Sequence, residues 1–292
     1  MNKQVDVDDL DYDPNKLYDR SDLTYANSFP QFYKRWFIQS IEFLTARYYL
    51  LYKMRKWEKN PNKDPDFWKS VLEEMNIELK TPAEEIARIP SKGPLVIVSN
   101  HPHGLIDGLV MARLISQVRD DYQILTRALL VGVKRVERYL LPVAFPHEED
   151  SVRKNIEMRQ KAIAALKEGH CIALFPAGTV STSPTFFGEP VEREWAPFTA
   201  KMIRQSGAQV LPIYFTGRNT RWFQIANKLG ETFRQSLLLY EIRAAFGKKQ
   251  KPVIGQLIDP EVLKSYEKDA KGLMEFLRAE TLALKPEKKS RW

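Results

Sequence analysis

The sequence predicts an α/β protein in which a buried sheet is flanked by helices and preceded by an amphipathic helix. Beyond residue 94, short apolar runs bounded by turn residues alternate with longer helical patterns, which is typical of this fold class. The chain has 292 residues, 43% of them hydrophobic, so it can fill a sizeable core in one large domain or two small ones. This composition excludes a disordered chain. The single cysteine, Cys171, excludes an intramolecular disulfide and a multi-cysteine metal site.

The chain carries a net charge of +8, which predicts an anionic partner. Nucleic acid, a membrane surface and phosphorylated substrates all fit that sign. The sequence contains no nucleic-acid-binding motif, so we expect no nucleic-acid partner. It does not open with a basic segment followed by an apolar run, so no secretory signal is predicted. No apolar stretch reaches about 18 residues, so no ordinary transmembrane helix is predicted.

The charge reverses sharply near the N-terminus. Residues 1–28 are rich in aspartate and are predicted to form an acidic tail or an irregular lead-in. Residues 29–59 are basic and aromatic, and five apolar residues there follow the spacing of one helical face: Phe37, Ile41, Leu44, Tyr48 and Leu51. Such a helix suits a bilayer interface. It equally suits packing on its own domain with a solvated basic face.

The remaining elements follow from their boundary residues. Helices are predicted over 66–75, with Asp64 as N-cap and Pro65 at the first position, and over 82–89. Further helices are predicted over 109–118, 151–168, 196–206 and 260–284, and glycine ends the second and third of these four. Strands are predicted over 95–98, 122–126, 171–175, 209–215 and 252–258, whereas residues 235–245 suit a strand or a helix.

A polar block follows the strand at 95–98 directly and reads Ser-Asn-His-Pro-His-Gly-Leu-Ile-Asp-Gly over residues 99–108. Ligands of α/β proteins gather beyond the carboxyl ends of strands. A histidine held by an aspartate is a general-base pair, because the carboxylate fixes the tautomer and stabilises the imidazolium. Asp107 could serve His101 or His103 in this way. The alternative is a polar turn with hydrogen-bonded histidines.

Two further blocks also follow strands. Residues 175–181 read FPAGTVS, and Gly178 and Thr179 could offer backbone N–H groups to an oxyanion or a phosphate. Residues 210–220 read VLPIYFTGRNT, and Arg218 and Arg221 at its end suit bidentate phosphate recognition. A plain turn and a solvated loop are the alternatives. The GxSxG, P-loop, GxGxxG and HExxH motifs are absent.

Together and in this order, NHPHGLIDG, FPAGTVS and VLPIYFTGRNT resemble the glycerolipid (lysophospholipid/1-acylglycerol-3-phosphate) acyltransferase superfamily. They are most similar to its bacterial hemolysin-like phospholipid/glycerol acyltransferases, over about residues 38–258. The resemblance implies a glycerol-3-phosphate acyltransferase-like domain over 60–284 with a mixed central sheet, followed by a basic tail over 285–292. It implies transfer of a fatty acyl group from acyl-CoA or acyl-carrier protein to a lysolipid hydroxyl in membrane lipid synthesis. No metal or further cofactor is expected, because a thioester is already activated.

The resemblance also implies residue roles. His101 is the general base and Asp107 orients it, with His103 as the other candidate, and Gly178 and Thr179 meet the oxyanion or a phosphate. Five residues separate His101 from Asp107, where the widespread motif has four.

Ala177 and Val180 replace the glutamate and arginine of the widespread second block. The arginine of that block is expected to bind the acceptor's phosphate, so the acceptor is either lysophosphatidate or a lyso-aminolipid such as a lyso-ornithine lipid. Substitute substrate-binding cations could come from five positions: Arg127, Lys134, Arg135, Arg218 and Arg221.

For residues 29–59 the resemblance favours membrane docking. It implies a peripheral protein on the cytoplasmic face of an anionic membrane, with a lysolipid acceptor and an acyl donor as partners. The altered spacing between His101 and Asp107 supports one alternative function. That alternative is a catalytically inactive, peripheral lipid-binding protein that keeps the fold.

Overall fold

A six-stranded mixed sheet forms the centre of the protein in the computed structural model, which describes residues 23–60, 64–126, 136–144 and 150–287. The strands are β1 Glu78–Leu79, β2 Leu95–Ser99, β3 Tyr122–Thr126, β4 Leu140–Pro142, β5 Cys171–Leu174, β6 Gln209–Tyr214, β7 Lys249–Gln250 and β8 Val253–Ile254. The central sheet has the order β4-β3-β5-β2-β6-β8, while β1 and β7 form a separate parallel pair. All neighbours in the central sheet are parallel except β8, which pairs antiparallel with β6. The predicted mixed sheet is confirmed.

Twelve α-helices surround these strands within the described residues. They are α1 Phe32–Glu42, α2 Tyr48–Lys59, α3 Phe67–Glu74, α4 Ala83–Ile86, α5 Leu105–Ser116, α6 Ser151–Lys167, α7 Phe198–Ser206, α8 Arg221–Leu229, α9 Glu231–Ser236, α10 Leu238–Ala244, α11 Pro260–Ser265 and α12 Ala270–Ala283.

The sheet separates two apolar cores. In β2, Leu95 and Ile97 face one core, while Val96 and Val98 face the other, and all four are fully buried. The first core contains residues of α2, α3 and α5, and the second contains residues of α6, α7 and α12. Strands covered on both faces carry continuous apolar runs, and this is why β2 was recognisable from the sequence. The resulting three layers leave the carboxyl edge of the parallel strands open for the loops that follow them.

Several predicted boundaries move. Helix α5 begins at Leu105 and not at residue 109, so Asp107 lies in its first turn. Asp66 caps α3 by accepting the Lys69 N–H, whereas Asp64 was predicted as the cap. Proline at position 65 and two nearby aspartates made the exact cap ambiguous in the sequence.

Other elements differ from the prediction in extent, and one open alternative between strand and helix is decided. Residues 235–245 belong to helices α9 and α10. The strand predicted over 252–258 is reduced to β8, and the helix predicted over 260–284 is divided into α11 and α12. Helix α8 and strand β4 were not predicted. The apolar residues of β4 are too few to establish a period.

The N-terminal helix runs continuously from residue 32 to residue 59, with a five-residue π-helical turn, Phe43–Arg47, between α1 and α2. Its buried face steps by four residues through Ile38, Glu42, Ala46 and Leu50. In a regular α-helix, three such steps rotate the side-chain position by roughly 120° around the helix axis. The extra residue of a π-turn takes back about 100° of that drift and keeps these positions on one side.

The opposite side of this helix is an exposed apolar surface, here called the outer aromatic face. It comprises Phe32, Tyr33, Trp36, Phe43, Leu44, Tyr48 and Tyr52. The sequence placed Leu44 and Tyr48 on the same face as Phe37, but they are 76% and 72% exposed. That prediction failed because it assumed an unbroken period of 3.6 residues. The helix therefore packs on its own domain and still presents a second apolar surface.

Six residues of the predicted acidic tail, 23–28, precede this helix, and a buried carboxylate ties them to it. The Glu42 side chain accepts the Thr24 hydroxyl at 2.6 Å and the Tyr25 N–H at 2.8 Å. Burial raises the pKa of Glu42 to about 7, against the opposing effect of these hydrogen bonds. The rest of that tail, residues 1–22, and the last five residues of the predicted basic tail lie outside the described residues. No described helix has the length and apolar character needed to cross a bilayer.

The docking of the N-terminal helix is testable through Trp57, which is 4% exposed and donates its Nε1–H to the Ser70 hydroxyl at 2.6 Å. We expect Trp57→Ala to lower the free energy of unfolding by about 3–5 kcal/mol. Tyr48→Ala on the exposed side should change it by no more than about 0.5 kcal/mol. Urea unfolding midpoints would measure both. Equal effects would contradict the orientation of the helix.

Glu42 predicts a pH-dependent stability difference. Because its pKa rises from 4.5 to about 7 on folding, the folded protein keeps a proton there that the unfolded chain releases. This group therefore costs stability increasingly as the pH rises from 4.5 to about 7, and the cost is constant above that range. Glu42→Gln should thus gain more stability relative to the wild type at pH 8 than at pH 5 in urea unfolding. The same difference at both pH values would refute the burial of an ionisable group there.

Candidate active site

The first polar block is fixed to the sheet by Asn100. Its Oδ1 accepts the Phe215 N–H at 2.7 Å and its Nδ2 donates to the Phe215 carbonyl at 2.9 Å. Phe215 directly follows β6, so this buried amide joins the ends of two neighbouring strands. Such a bidentate contact satisfies both main-chain groups at a point where the ladder ends. It sets the position from which the chain enters the loop over residues 100–104, which carries His101 and His103.

Asp107 lies at the centre of that loop with a fully buried side chain. Its Oδ2 accepts the N–H groups of His103 and Gly104 at 2.7 and 3.1 Å. Because Asp107 is the third residue of α5, these contacts also cap the helix. Gly104 permits the turn with a φ of 74°.

Both imidazoles contact the same carboxylate. His103 Nδ1 is 3.1 Å from Asp107 Oδ1, and His101 Nδ1 is 3.0 Å from Oδ2. The second contact is out of line for a hydrogen bond, since His101 Nδ1 has no acceptor of acceptable geometry. Burial alone would raise the pKa of Asp107, but the imidazoles of His101 and His103 hold that pKa below its usual range. The carboxylate is thus suited to remain ionised.

The two histidines differ in what they face. The His101 ring stacks on Phe175 with centroids 4.0 Å apart, and His101 lines a cavity at the carboxyl edge of the sheet. His103 is not among the residues lining that cavity. Its Nε2 lies against Gly217, where an added Cβ would approach it to 2.8 Å at a φ of 99°. The two histidines therefore differ in their surroundings, a difference that the sequence alone could not reveal.

A second buried carboxylate holds the main chain of His101. Glu192 Oε2 accepts the His101 N–H at 3.2 Å and the Ser181 hydroxyl at 2.5 Å. Ser181 in turn donates its N–H to the His101 carbonyl at 2.8 Å. The loop after β5 therefore fixes the His101 peptide from both sides. Sequence reasoning missed Glu192, which lies outside all three blocks.

Gly178 and Thr179 both line the cavity, as expected for residues that contact a substrate. The Gly178 N–H, however, donates to the Phe175 carbonyl at 2.9 Å in a tight turn with a φ of 64°. The Thr179 N–H has no main-chain acceptor anywhere in the part of the chain that the structure describes. Of these two residues, Thr179 therefore keeps its N–H free of a main-chain acceptor, and Gly178 shapes the turn.

The cavity has a volume of about 410 Å³ and crosses the carboxyl edge of the sheet. Leu174, Met158 and Phe198 line it in the layer of α6 and α7, and Trp68 and Leu105 line it in the layer of α3 and α5. His101 is among the lining residues that connect these layers. The walls of the cavity are largely apolar, and this suits an acyl chain more than a nucleotide.

Two of the five predicted substrate-binding cations, Arg218 and Arg221, belong to the described residues, and neither lines this cavity. Arg218 pairs with Glu189 at 2.5 Å, and Arg221 donates to the Phe187 and Gly188 carbonyls at 2.7 and 3.1 Å. Both side chains hold the loop over residues 187–189, and this removes them from the cavity. The other three candidates, Arg127, Lys134 and Arg135, lie outside the described residues.

Two different arginines line the cavity, Arg159 of α6 and Arg234 of α9. Nothing in the sequence distinguishes Arg159 from the other cations of α6, which are Arg153, Lys154, Lys161 and Lys167. Which cation of a basic helix faces a cavity depends on tertiary packing.

Among the described residues, no three His, Cys, Asp or Glu side chains lie close enough to hold a metal ion. Cys171 is fully buried in β5, and burial raises the pKa of its thiol to about 12. A thiol in that protonation state is suited to packing and not to nucleophilic attack.

Comparisons with known proteins give relatives of one kind. Two proteins named lyso-glycine lipid O-acyltransferase match, one from Phocaeicola vulgatus and one from Bacteroides thetaiotaomicron. The first is 26% identical over 179 residues, 59% of this chain and 61% of its own length. The second is 27% identical over 188 residues, 61% of this chain and 65% of its own length. The chain thus matches less than two thirds of either relative.

A solved structure also aligns with this chain. The crystal structure of the 1-acyl-sn-glycerophosphate (LPA) acyltransferase PlsC from Thermotoga maritima aligns with 88% of this chain and 94% of that chain. The TM-score is 0.47 and the sequence identity is 18%.

The decisive comparison covers almost the whole chain, since the sequence model of the family described as "Acyltransferase" matches residues 18–286. This range includes all three sequence blocks and the whole cavity. The chain therefore belongs to this acyltransferase family, within the glycerolipid acyltransferase superfamily that its motifs resemble.

Proposed function

We propose that the protein transfers a fatty acyl group from a thioester, either acyl-CoA or acyl-carrier protein, to the hydroxyl of a lysolipid. The observation that carries this proposal is the contact between His101 and the buried Asp107 at the wall of an apolar cavity. A general base beside an apolar chamber is what acylation of a lipid hydroxyl requires. Family membership supports the same class of reaction.

In the proposed mechanism, His101 Nε2 removes the proton from the acceptor hydroxyl while Asp107 holds Nδ1 and stabilises the imidazolium. The alkoxide oxygen then forms a bond to the thioester carbonyl carbon. We assign the Thr179 N–H, at the cavity wall, as the donor for the resulting oxyanion. Collapse of this intermediate breaks the carbon–sulfur bond, and the imidazolium returns its proton to the departing thiolate. The out-of-line contact of His101 with Asp107 would straighten as substrate binds, as catalytic hydrogen bonds commonly do.

An amino-acid lysolipid is the acceptor that we favour over lysophosphatidate. Val180, which lines the cavity, occupies the position of the arginine in the widespread motif and offers no charge to a phosphate. Two matching relatives are named for a lyso-glycine lipid.

We also propose that the protein binds peripherally to the cytoplasmic face of an anionic membrane, and the outer aromatic face supports the contact with a bilayer. Phe37 of α1 contacts Phe233 of α9 with ring centroids 5.2 Å apart. Exposed apolar residues continue onto α8 and α9 at Trp222 and Phe233, which are 66% and 42% exposed. Arg35 and Arg55 are exposed on the same helix and would add about 1 kcal/mol each at an anionic surface.

The base is tested by comparing His101→Ala with His103→Ala in a purified acyl-transfer assay with a lyso-glycine lipid. We expect His101→Ala to reduce kcat by about 10²- to 10⁴-fold, because it removes the general base. His103→Ala should retain far more activity once its unfolding midpoint shows that it folds. Full activity of His101→Ala would refute the mechanism. Lysolipid binding by the wild type without transfer from either donor would instead support the inactive lipid-binding alternative.

Membrane docking is tested with vesicles of phosphatidylglycerol and phosphatidylcholine in a sedimentation assay. The double substitution Trp36→Ser and Leu44→Ser should weaken binding by at least about tenfold, because each side chain contributes roughly 1.5–3 kcal/mol when buried in the interface. The matched control replaces Val152 and Ile156, which are 73% and 47% exposed on α6. Equal loss in both double variants would contradict docking through the outer aromatic face.

A further inference from the structure

Arg159 differs from the other cavity arginine in having no anionic partner. Arg234 interacts with Asn227 at 3.3 Å and Glu231 at 3.5 Å. Throughout the described ranges, no carboxylate lies within ion-pair distance of Arg159. Its guanidinium instead lies 5.0 Å from the ring centre of Phe198, also a lining residue. Stacking on that ring holds the charge at the cavity wall without neutralising it.

The start of helix α7 lies beside this guanidinium. The helix has nine residues, begins at Phe198 and has no side chain that caps its first turn. The Thr199 N–H donates to the Ala196 carbonyl at 3.4 Å, while no acceptor accompanies the N–H groups of Phe198 and Ala200 among the described residues. The first N–H groups of a helix lack partners within it, and its N-terminus carries a partial positive charge. Both features favour an anion at this point.

Thr199 supplies an independent observation. The residue lines the cavity and is 1% exposed, yet its Oγ1 has no hydrogen-bond partner. A buried hydroxyl without a partner costs free energy unless a ligand or water completes it. An unsatisfied hydroxyl, an unpaired guanidinium and an uncapped helix start thus meet at one wall.

We propose that Arg159, Thr199 and the first turn of α7 form the subsite for the terminal carboxylate of an amino-acid lysolipid acceptor. The inference rests on the proposed function and names the part of the acceptor that this wall binds. An amino acid joined to a lipid through its amine ends in a carboxylate, which a guanidinium can bind through two parallel hydrogen bonds. Arg159 thereby takes the place of the motif arginine that is Val180 here. Binding at this wall leaves the apolar layer near Trp68 and Leu105 for acyl chains.

Two acceptors that differ only in this charge provide the test: a lyso-glycine lipid and its methyl ester. We expect Arg159→Met to lower kcat/KM for the carboxylate acceptor by about 10- to 100-fold, as expected for loss of a charge-assisted pair. For the methyl ester, kcat/KM of Arg159→Met should stay within about threefold of the wild-type value, because the ester has no charge for the guanidinium to bind. Arg159→Lys should recover part of the loss, since it restores charge without the planar fork. Thr199→Val should give a smaller loss with the carboxylate acceptor alone.

The control is Lys161→Met on the same helix: Lys161 and Arg159 are both exposed, but only Arg159 lines the cavity. It should affect neither acceptor. A loss of equal size for both acceptors, or a loss that appears only in the KM of the acyl donor, would overturn the subsite. The second outcome would assign Arg159 to a phosphate of the donor.

Direct binding separates this inference from the proposed function. Titration of the lyso-glycine lipid into the His101→Ala protein, followed by tryptophan fluorescence, needs no turnover. The subsite predicts weaker binding when Arg159→Met is added, and no such change for the methyl ester. If the wild type transfers nothing but this difference is present, the proposed reaction fails and the subsite stands. If transfer occurs without the difference, the subsite fails alone.

Discussion

The carboxylate of Asp107 determines the shape of the loop on which the rest of the candidate site depends. It receives two main-chain N–H groups and contacts two imidazoles from a position with no access to solvent. A buried anion is costly unless its lone pairs are used, so the loop cannot rearrange without leaving that charge uncompensated. The same group caps α5, and so the helix, the turn and the orientation of both histidines are coupled.

The parallel sheet brings the three sequence blocks together. Because β2, β5 and β6 are adjacent and run in the same direction, the loops that follow them meet at one edge. Asn100 connects the first block to the third, and Glu192 connects the first to the loop after β5. His101, the proposed general base, and the loop carrying Thr179 therefore form a single hydrogen-bonded unit. This arrangement is the preorganisation that acyl transfer needs.

The sequence predicted the parts of the molecule that are set by local patterns. Continuous apolar runs located β2, β5 and β6, and the polar residues just after them located the site. Properties that depend on tertiary packing could not be predicted from the sequence. The period of 3.6 residues assigned Leu44 to the wrong face because it could not reveal a π-turn, and nothing local distinguished Arg159 from its basic neighbours on α6. The spacing left both His101 and His103 as candidate partners of Asp107. Their surroundings distinguish them, because His101 lines the cavity whereas His103 lies against Gly217.

The π-turn in the N-terminal helix limits how the sequence of this segment can vary among relatives. The π-turn, with one extra residue, aligns the two halves of the helix, so that Ile38 and Leu50 share the inner side and Trp36 and Tyr48 share the outer side. Substitutions on either side are thus free to accumulate independently, while insertions and deletions are not. Relatives that retain both surfaces should therefore keep the length of this segment even where they share none of its residues.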